Sequence, residues 1–189
     1  MGISIIVGLG NPGDNYAATR HNVGFWLLDR LAADAGATLK SEKKVMGDVA
    51  QTAIAYNNVR LLRPATYMNE SGQSVRRMLD FYKVDTDQLL VLHDELDLPP
   101  GTARMKKGGG HGGHNGLRDI IAHCGKDFMR VRIGVGHPGD KSQVTNFVLK
   151  APKSDERKLI EDSLLDAHRA IEILLQDGSE KAMDFLHTD

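Results

Sequence analysis

The 189-residue sequence has one cysteine, Cys124, only 5% aromatic residues and no long run of apolar side chains. A single cysteine excludes an intrachain disulfide and a cysteine-based zinc cage, and it is typical of a reducing compartment. The roughly 18 apolar residues of a membrane helix and the leader pattern of a signal peptide are both missing. We therefore expect a cytoplasmic protein without a membrane partner, folded as a single domain over residues 1–189.

A large excess of charge of one sign is also missing, because 24 Lys and Arg residues face 25 Asp and Glu residues. This balance by itself argues against a nucleic-acid partner. The charges are unevenly distributed, however. Residues 100–150 carry nine basic and three acidic side chains, whereas residues 151–189 carry five basic and ten acidic ones. The middle of the chain is therefore as basic as many RNA-contacting surfaces, and the acidic C-terminal part hides it.

Hydrophobic periodicity predicts alternating strands and helices. The predicted strands are 3–7, 89–92, the weaker 102–107, 129–135, and a hairpin of 48–56 with 59–62 that turns at Asn57-Asn58. The predicted helices run from about 22 to 35, 69 to 82, the end of the glycine-rich stretch 108–116 to 124, Ser154 to 176, and onward from Ser179. This order predicts the α/β class, as an α/β/α sandwich with a twisted mixed β-sheet flanked by helices.

The first strand is followed by a loop that formally matches the dinucleotide-binding fingerprint, with glycines at positions 8, 10 and 13. That fingerprint requires a helix that opens at the loop and an acidic residue at the end of a second strand about 20 residues on. Asp34 instead lies in a predicted helix, and Pro12 removes an amide that would face a pyrophosphate. A dinucleotide oxidoreductase is therefore a poor fit, and a tight strand-to-helix turn explains the glycines.

Histidine and asparagine recur in the segments that follow predicted strands. These residues are Asn11, His21-Asn22, Asn69, His93-Asp94 and His114-Asn115. Loops at the carboxyl ends of strands in an open α/β sheet converge on one crevice. An imidazole backed by a carboxylate is a general base, and side-chain amides hold a carbonyl oxygen or a backbone N–H without adding charge. Such a set suits attack of water on an acyl group.

Other functions remain open on these residues alone. A metal-dependent hydrolase is one alternative, since potential ligands cluster at His93, Asp94, Glu95, Asp97, His111 and His114. A standard zinc spacing is missing, because the last two histidines lie in a glycine-rich loop and not on a helix face. A non-catalytic RNA-binding module is another, but it leaves a carboxylate-backed imidazole without a purpose. Covalent catalysis is not indicated, since no serine or cysteine lies in a nucleophile setting.

Six motifs, in order along nearly the whole chain, resemble the bacterial-type peptidyl-tRNA hydrolase family. They are GLGNPG at 8–13, YAATRHNVG at 16–24, RPATYMNESG at 63–72, HDELD at 93–97, GGGHGGHNGL at 108–117 and RVRIGVGHP at 130–138. The resemblance implies a monomeric α/β/α enzyme. It would cut the ester between a peptide's carboxyl carbon and the 3′-terminal ribose of tRNA, with no metal or other cofactor.

The resemblance also implies roles for individual residues. His21 would be the base that activates water, and Asp94 would orient it. Asn11 and Asn69 would bind the peptide backbone and the ester carbonyl, with Asn69 the better candidate for the oxyanion. Asn115 would bind either the 3′ end of the tRNA or the attacking water.

Further positions would bind the two ends of the substrate. Tyr16 and Met68 would wall the site, and His114 is a further substrate-binding candidate. Basic residues would contact phosphate and sugar groups of the tRNA, in its acceptor stem, at its 3′-CCA end and above all at its 5′-phosphate. The phosphate candidates are Arg104, Lys106 and Arg132, with Lys107, Arg118 and Arg130 as weaker ones. The loop 138–141 and the helix after it are expected to flank the peptide groove and to move.

Overall fold

The structure is a computed structural model that describes residues 2–187. Within that range the chain forms seven strands and six α-helices. The strands are β1 (Ile5–Gly8), β2 (Lys40–Glu42), β3 (Gly47–Ile54), β4 (Asn57–Pro64), β5 (Leu89–Glu95), β6 (Ala103–Lys107) and β7 (Met129–Gly134). The helices are α1 (Val23–Asp34), α2 (Ser71–Tyr82), α3 (Asn115–Cys124), α4 (Val144–Val148), α5 (Ser154–Asp177) and α6 (Ser179–His187).

All seven strands form one sheet in the order β2-β3-β4-β1-β5-β7-β6. Strands β4, β1, β5 and β7 are parallel, so Val7 of β1 lies between Leu62 of β4 and Val91 of β5. The hairpin β3–β4, its short neighbour β2 and the edge strand β6 are antiparallel to their partners. The prediction of a mixed sheet is therefore confirmed. The carboxyl ends of the four parallel strands share one edge, where a crevice is expected.

Alternation along the buried strands supplies a hydrophobic core to each face of the sheet. Ile6 packs with α1, α5 and α6 on one face, whereas Ile5 and Val7 pack with α2 and α3 on the other. Because β1 is covered on both faces, its sequence reads as a continuous apolar run and not as an alternating one. The predicted α/β/α sandwich is therefore confirmed.

The hairpin differs from the prediction in where it turns. Ala55 and Tyr56 form the turn, with φ of 49° and 64°, and Asn57 already pairs with Ile54 in the ladder. This register lets Ile54 join the core on the α1 side of the sheet, where it is 6% exposed. Burial of the apolar side chains along the hairpin outweighs the modest cost of a left-handed backbone at Ala55 and Tyr56.

Several helices and strands also differ from those that hydrophobic periodicity predicts. A 3-10 turn, Met68–Glu70, precedes α2, so the helix begins at Ser71 and Asn69 lies immediately before its N-cap residue, Glu70. The N-cap of α5 is Lys153, one residue before Ser154. The hydrophobic pattern did not indicate β2 or α4, because each is only three to five residues long.

A second 3-10 turn, Arg20–Asn22, leads into α1. Helix α1 then approaches the sheet closely at Gly24, where a Cβ atom would overlap the backbone oxygens of Leu9 and Leu92. Glycine is required there by the close approach. As a result, the turn that carries His21 lies directly over the ends of β1 and β5. No helix within residues 2–187 is long and apolar enough to cross a membrane.

Candidate active site

The carboxyl ends of the parallel strands border a cavity of about 250 Å³. Strand β5 brings His93, Asp94 and Glu95 to it, and the loop after β1 brings Asn11. Seven of the residues predicted for the site line this cavity together, namely Asn11, His21, Met68, Asn69, Asp94, His114 and Asn115. Residues that are up to about a hundred positions apart in sequence therefore share one site, as convergence of the loops at this edge predicts.

His21 and Asp94 form a buried hydrogen bond at the base of the cavity. The distance from His21 Nδ1 to Asp94 Oδ2 is 2.8 Å, and the two residues are 8% and 3% exposed. An ionised carboxylate only accepts, so Nδ1 carries the proton and donates it. Nε2 is then the unprotonated nitrogen, which is the arrangement of a general base with its orienting carboxylate.

A second histidine binds the other oxygen of the same carboxylate. The distance from His114 Nε2 to Asp94 Oδ1 is 2.7 Å, while His114 Nδ1 accepts hydrogen bonds from the backbone N–H groups of Gly116 and Leu117 at the start of α3. Because Nδ1 accepts, Nε2 must donate to Asp94. The sequence analysis predicted His114 as a substrate-binding residue or, in the metal alternative, as a ligand, and nothing in its spacing indicated this bond.

The electrostatics of the pair favour an ionised Asp94. Burial opposes ionisation, but the nearby imidazoles of His21 and His114 and their hydrogen bonds hold the pKa of Asp94 well below its usual range. For His21, burial lowers the pKa, yet the charge of Asp94 and the hydrogen bond to it outweigh burial, so the pKa of His21 is raised above 6.5. A raised pKa makes the imidazole a stronger base.

Asn11 is held by three hydrogen bonds that leave its amide nitrogen free. Its backbone N–H donates to Asn22 Oδ1 and its backbone carbonyl accepts from Asn22 Nδ2, both at 2.9 Å. The backbone N–H of Met68 donates to Asn11 Oδ1 at 2.7 Å. Since the side-chain oxygen is occupied, the –NH₂ group of Asn11 is the part that can donate into the cavity. The sequence analysis gave Asn22 no role, and the structure shows that its side chain holds the backbone of Asn11 in place.

Asn69 and Asn115 lie on the rim of the cavity and are exposed. Asn69 belongs to the 3-10 turn before α2, and Asn115 is the first residue of α3. Arg118 donates to the side-chain oxygen of Asn115 at 3.2 Å. Together with Asn11, these residues place three neutral amides around the His21 imidazole, which suits a substrate with carbonyl and amide groups.

Helix α4 supplies the apolar wall of the cavity. Val144, Val148 and Leu149 line it beside Thr145. The sequence analysis expected the loop 138–141 and the next predicted helix, from Ser154, to flank the groove, whereas the helix that lines the cavity is the unpredicted α4. The expected movement of the loop stays a prediction.

A second cavity of about 220 Å³ adjoins the first, and three basic residues line it together with the carboxylates of Glu95 and Asp97. Lys106 and Arg132 both line it, and Arg132 Nε donates to Glu95 at 2.8 Å. Arg130 also lines it, but its guanidinium donates to the carbonyl oxygens of Gly109 and Gly110 at 2.5 Å and so fixes the glycine-rich loop. Two of the three phosphate candidates, Lys106 and Arg132, therefore lie beside the cavity that holds His21.

Two predicted site residues lie away from both cavities. Arg104 donates to the backbone oxygens of Ala103 and Leu186, each at 3.0 Å, and so contacts the end of α6. Tyr16 packs edge-on against Tyr67, with 6.5 Å between ring centroids. Their roles in phosphate and substrate binding stay predictions.

The metal alternative can be judged from the way the ligand atoms are used. Ligand atoms of His21, Asp94 and His114 lie within 4.8 Å of one another. A zinc ion needs unprotonated nitrogens directed at one point, whereas these two imidazoles direct N–H groups at separate oxygens of Asp94. His93 donates to the backbone oxygen of Asp94, and burial together with repulsion from the neighbouring His114 imidazole lowers the pKa of His93 to about 4. The geometry therefore favours a hydrogen-bonded triad.

The dinucleotide alternative fails on the position of the helix. Nine further residues, 14–22, follow the glycine loop before α1 begins at Val23, so no helix N-terminus opens directly at that loop. The pyrophosphate of a dinucleotide requires that N-terminus.

An α/β fold whose parallel strands end at a carboxylate-bound histidine, with amides beside it and no serine or cysteine among the residues that line the cavity, fits a hydrolase of the general-base class. The comparisons with known proteins identify the family. The family model described as peptidyl-tRNA hydrolase matches residues 5–189. The chain belongs to this family.

Relatives and solved structures agree along nearly the full length. The chain is 52% identical to a peptidyl-tRNA hydrolase of Ruthia magnifica over 100% of this chain and 99% of that protein. It is 54% identical to one of Pectobacterium carotovorum over 98% and 96%. The crystal structure of peptidyl-tRNA hydrolase from Acinetobacter baumannii superposes with a TM-score of 0.95 at 49% identity, covering 97% of this chain and 94% of that one.

Proposed function

We propose that this protein hydrolyses peptidyl-tRNA at the ester between the peptide's carboxyl carbon and the 3′-terminal ribose, which recycles both products. The observation that carries the proposal is the 2.8 Å bond between His21 and Asp94 inside an amide-lined cavity. Membership of the peptidyl-tRNA hydrolase family supplies the substrate class.

In the proposed reaction His21 Nε2 takes a proton from a water molecule as the water oxygen attacks the ester carbon. The carbonyl oxygen becomes an oxyanion, and the tetrahedral intermediate then expels the ribose 3′-oxygen. The proton on His21 passes to that oxygen, so the enzyme returns to its starting state and the products are a peptide acid and free tRNA. Asp94 stabilises the transient imidazolium. General-base help of about 10²–10⁴-fold suits an ester and needs no metal or cofactor.

The amides would recognise the peptide main chain. Asn69 is the better candidate to donate to the oxyanion, Asn11 offers its –NH₂ group to a peptide carbonyl, and Asn115 binds the 3′ end or the attacking water. A substrate without the first peptide amide leaves the buried amide of Asn11 without that partner, so it is disfavoured. This explains how one site accepts any peptide sequence and spares aminoacyl-tRNA. Met68 walls the site, with Tyr16 and His114 as further substrate-binding residues.

The tRNA would be held through its 5′-phosphate and acceptor stem. Lys106 and Arg132, the latter also bonded to Glu95, line the cavity beside the one that holds His21, and this position supports their assignment to the tRNA phosphates. Arg104 would add a more distant contact. These contacts supply affinity without reading sequence. We propose that the enzyme acts as a cytoplasmic monomer.

The test compares release of tRNA from N-acetylated aminoacyl-tRNA and from its unblocked form. Rapid cleavage of the blocked ester only is expected, and His21→Ala should abolish it while binding of tRNA is retained. Equal cleavage of both esters would overturn the proposed recognition of the peptide amide. Tight binding with no release by the unaltered enzyme would instead favour a non-catalytic RNA-binding module.

A further inference from the structure

Arg20, next to the proposed base, is buried although the reaction above does not use it. It is 5% exposed. Its guanidinium carbon lies 3.8 Å from the centroid of the Phe147 ring, and Nη1 donates to the backbone oxygen of Phe147 at 2.9 Å. Nη2 donates to Glu156 Oε1 at 3.2 Å. A buried arginine is kept where its planar fork makes several contacts at once.

These contacts join three parts of the chain. Phe147 belongs to α4, Glu156 lies in the first turn of α5, and Arg20 opens the 3-10 turn that carries His21. The backbone N–H of Arg20 also donates to the oxygen of Lys150, just after α4, at 3.0 Å. The same residue therefore fixes both the side chain and the backbone of the α4 segment to the turn of the base.

Helix α4 has little else to hold it. It is five residues long, and among its members Val148 is buried while Val144 and Phe147 are half-buried. Helices this short are not stable by themselves and depend on tertiary contacts. Val148 contributes to the apolar wall of the cavity, whereas Phe147 contacts Arg20 and does not line that cavity. Removal of the Phe147 ring would therefore affect substrate binding by displacing α4, and not by removing a contact with the substrate.

We propose that Arg20 is a positioning residue for the hydrolase reaction: it holds α4 against the His21 turn, so that the cavity wall is in place when the acyl end of the substrate binds. The proposal rests on the proposed function for its substrate. Arg20 does not touch the reacting atoms, and its effect is on the wall and not on the basicity of His21.

The experiment uses Arg20→Met, which keeps an unbranched apolar stem and removes the charge and the donors. Phe147→Leu is the second variant, because it breaks the same contact from the α4 side and leaves Arg20 intact. Arg157→Met is the control, since Arg157 also stacks on an aromatic ring, Trp26 at 4.6 Å, and bonds the carboxylate of Glu161, but neither contact involves α4. Arg20→Lys tests whether charge alone is enough.

Steady-state cleavage of N-acetylated aminoacyl-tRNA and amide hydrogen exchange are measured on each variant. Arg20→Met should raise KM about tenfold and Phe147→Leu somewhat less, with kcat changed by less than about threefold, as loss of a stacked, hydrogen-bonded guanidinium implies. The acid limb of the pH profile should stay in place. Exchange at 144–149 should quicken about tenfold or more while the sheet stays protected. Arg20→Lys should restore KM only partly, and Arg157→Met should resemble the unaltered enzyme.

Two results would overturn the inference. One is a folded Arg20→Met enzyme with unchanged KM and unchanged exchange at 144–149. The other is a fall confined to kcat with a displaced acid limb, which would mean that Arg20 acts through His21. The exchange measurement needs no catalysis, so it decides the structural role of Arg20 even if the protein fails to cleave peptidyl-tRNA.

Discussion

Replacement of Asp94 by asparagine tests the proposed base directly. Asparagine has nearly the same size and shape as aspartate, so the packing around β5 is kept while the negative charge is lost. In the unaltered protein, burial lowers the pKa of His21, but Asp94 raises it by more. Its removal should therefore lower that pKa, and the imidazole should become protonated only at more acid pH. The acid limb of the rate profile should move to lower pH.

The size of the shift follows from the geometry. The carboxylate oxygen is 2.8 Å from His21 Nδ1 in a buried setting. An opposite charge this close shifts a pKa by about 1–3 units. The plateau of kcat/KM should also fall, by about 10²–10⁴-fold, because the weaker base removes a proton less readily and the amide no longer fixes the tautomer.

The assay is kcat/KM for N-acetylated aminoacyl-tRNA from pH 5 to pH 9, with folding checked by circular dichroism. Asp34→Asn is the matched control, since Asp34 pairs with His168 at 3.4 Å outside the cavity. That variant should keep both the plateau and the acid limb. An Asp94→Asn enzyme that folds, loses rate and yet keeps the acid limb of the unaltered enzyme would refute the assignment of His21 as the titrating base.

Three further predictions concern tRNA binding, packing and metal. Lys106→Ala and Arg132→Ala should each reduce the slope of log affinity against log salt by about one, measured by tRNA titration at several salt concentrations; unchanged slopes would remove these residues from phosphate binding. Gly24→Ala should lower the free energy of unfolding by about 3 kcal/mol or more, because the added Cβ atom would overlap the backbone oxygens of Leu9 and Leu92. Urea unfolding followed by the fluorescence of Trp26 measures this, with Gly2→Ala as the unobstructed control. Excess chelator should leave the cleavage rate intact, and a loss restored by zinc would contradict the metal-free mechanism.

Much of the fold was predictable from local patterns. The continuous apolar runs of β1 and β5 require cover on both faces, and the periodicity of α1 and α5 identifies the helices that provide it. The predicted position of the hairpin turn was wrong by two residues. The register of the two strands is set by which side chains enter the core and not by local turn preference.

The candidate site was predictable in its residue types but not in its bonds. Asparagine and histidine after strands indicate a shared polar crevice, since the ends of parallel strands converge. The roles of individual residues came from the family motifs. The bond of His114 to Asp94 and the contact of Arg20 with Phe147 left no trace in spacing, because their partners lie 20 and 127 positions away.

The sequence by itself determined the α/β class, the family and the polar residues available for chemistry. Periodicity, motifs and residue types can all be read directly from the order of the amino acids. Only the tertiary structure decided that one buried carboxylate binds two histidines, that Lys106 and Arg132 border the cavity beside His21 while Arg104 does not, and that Arg20 fixes α4. These facts depend on the strand order and on side-chain packing across the sheet, which bring distant positions within hydrogen-bond distance and which no local pattern records.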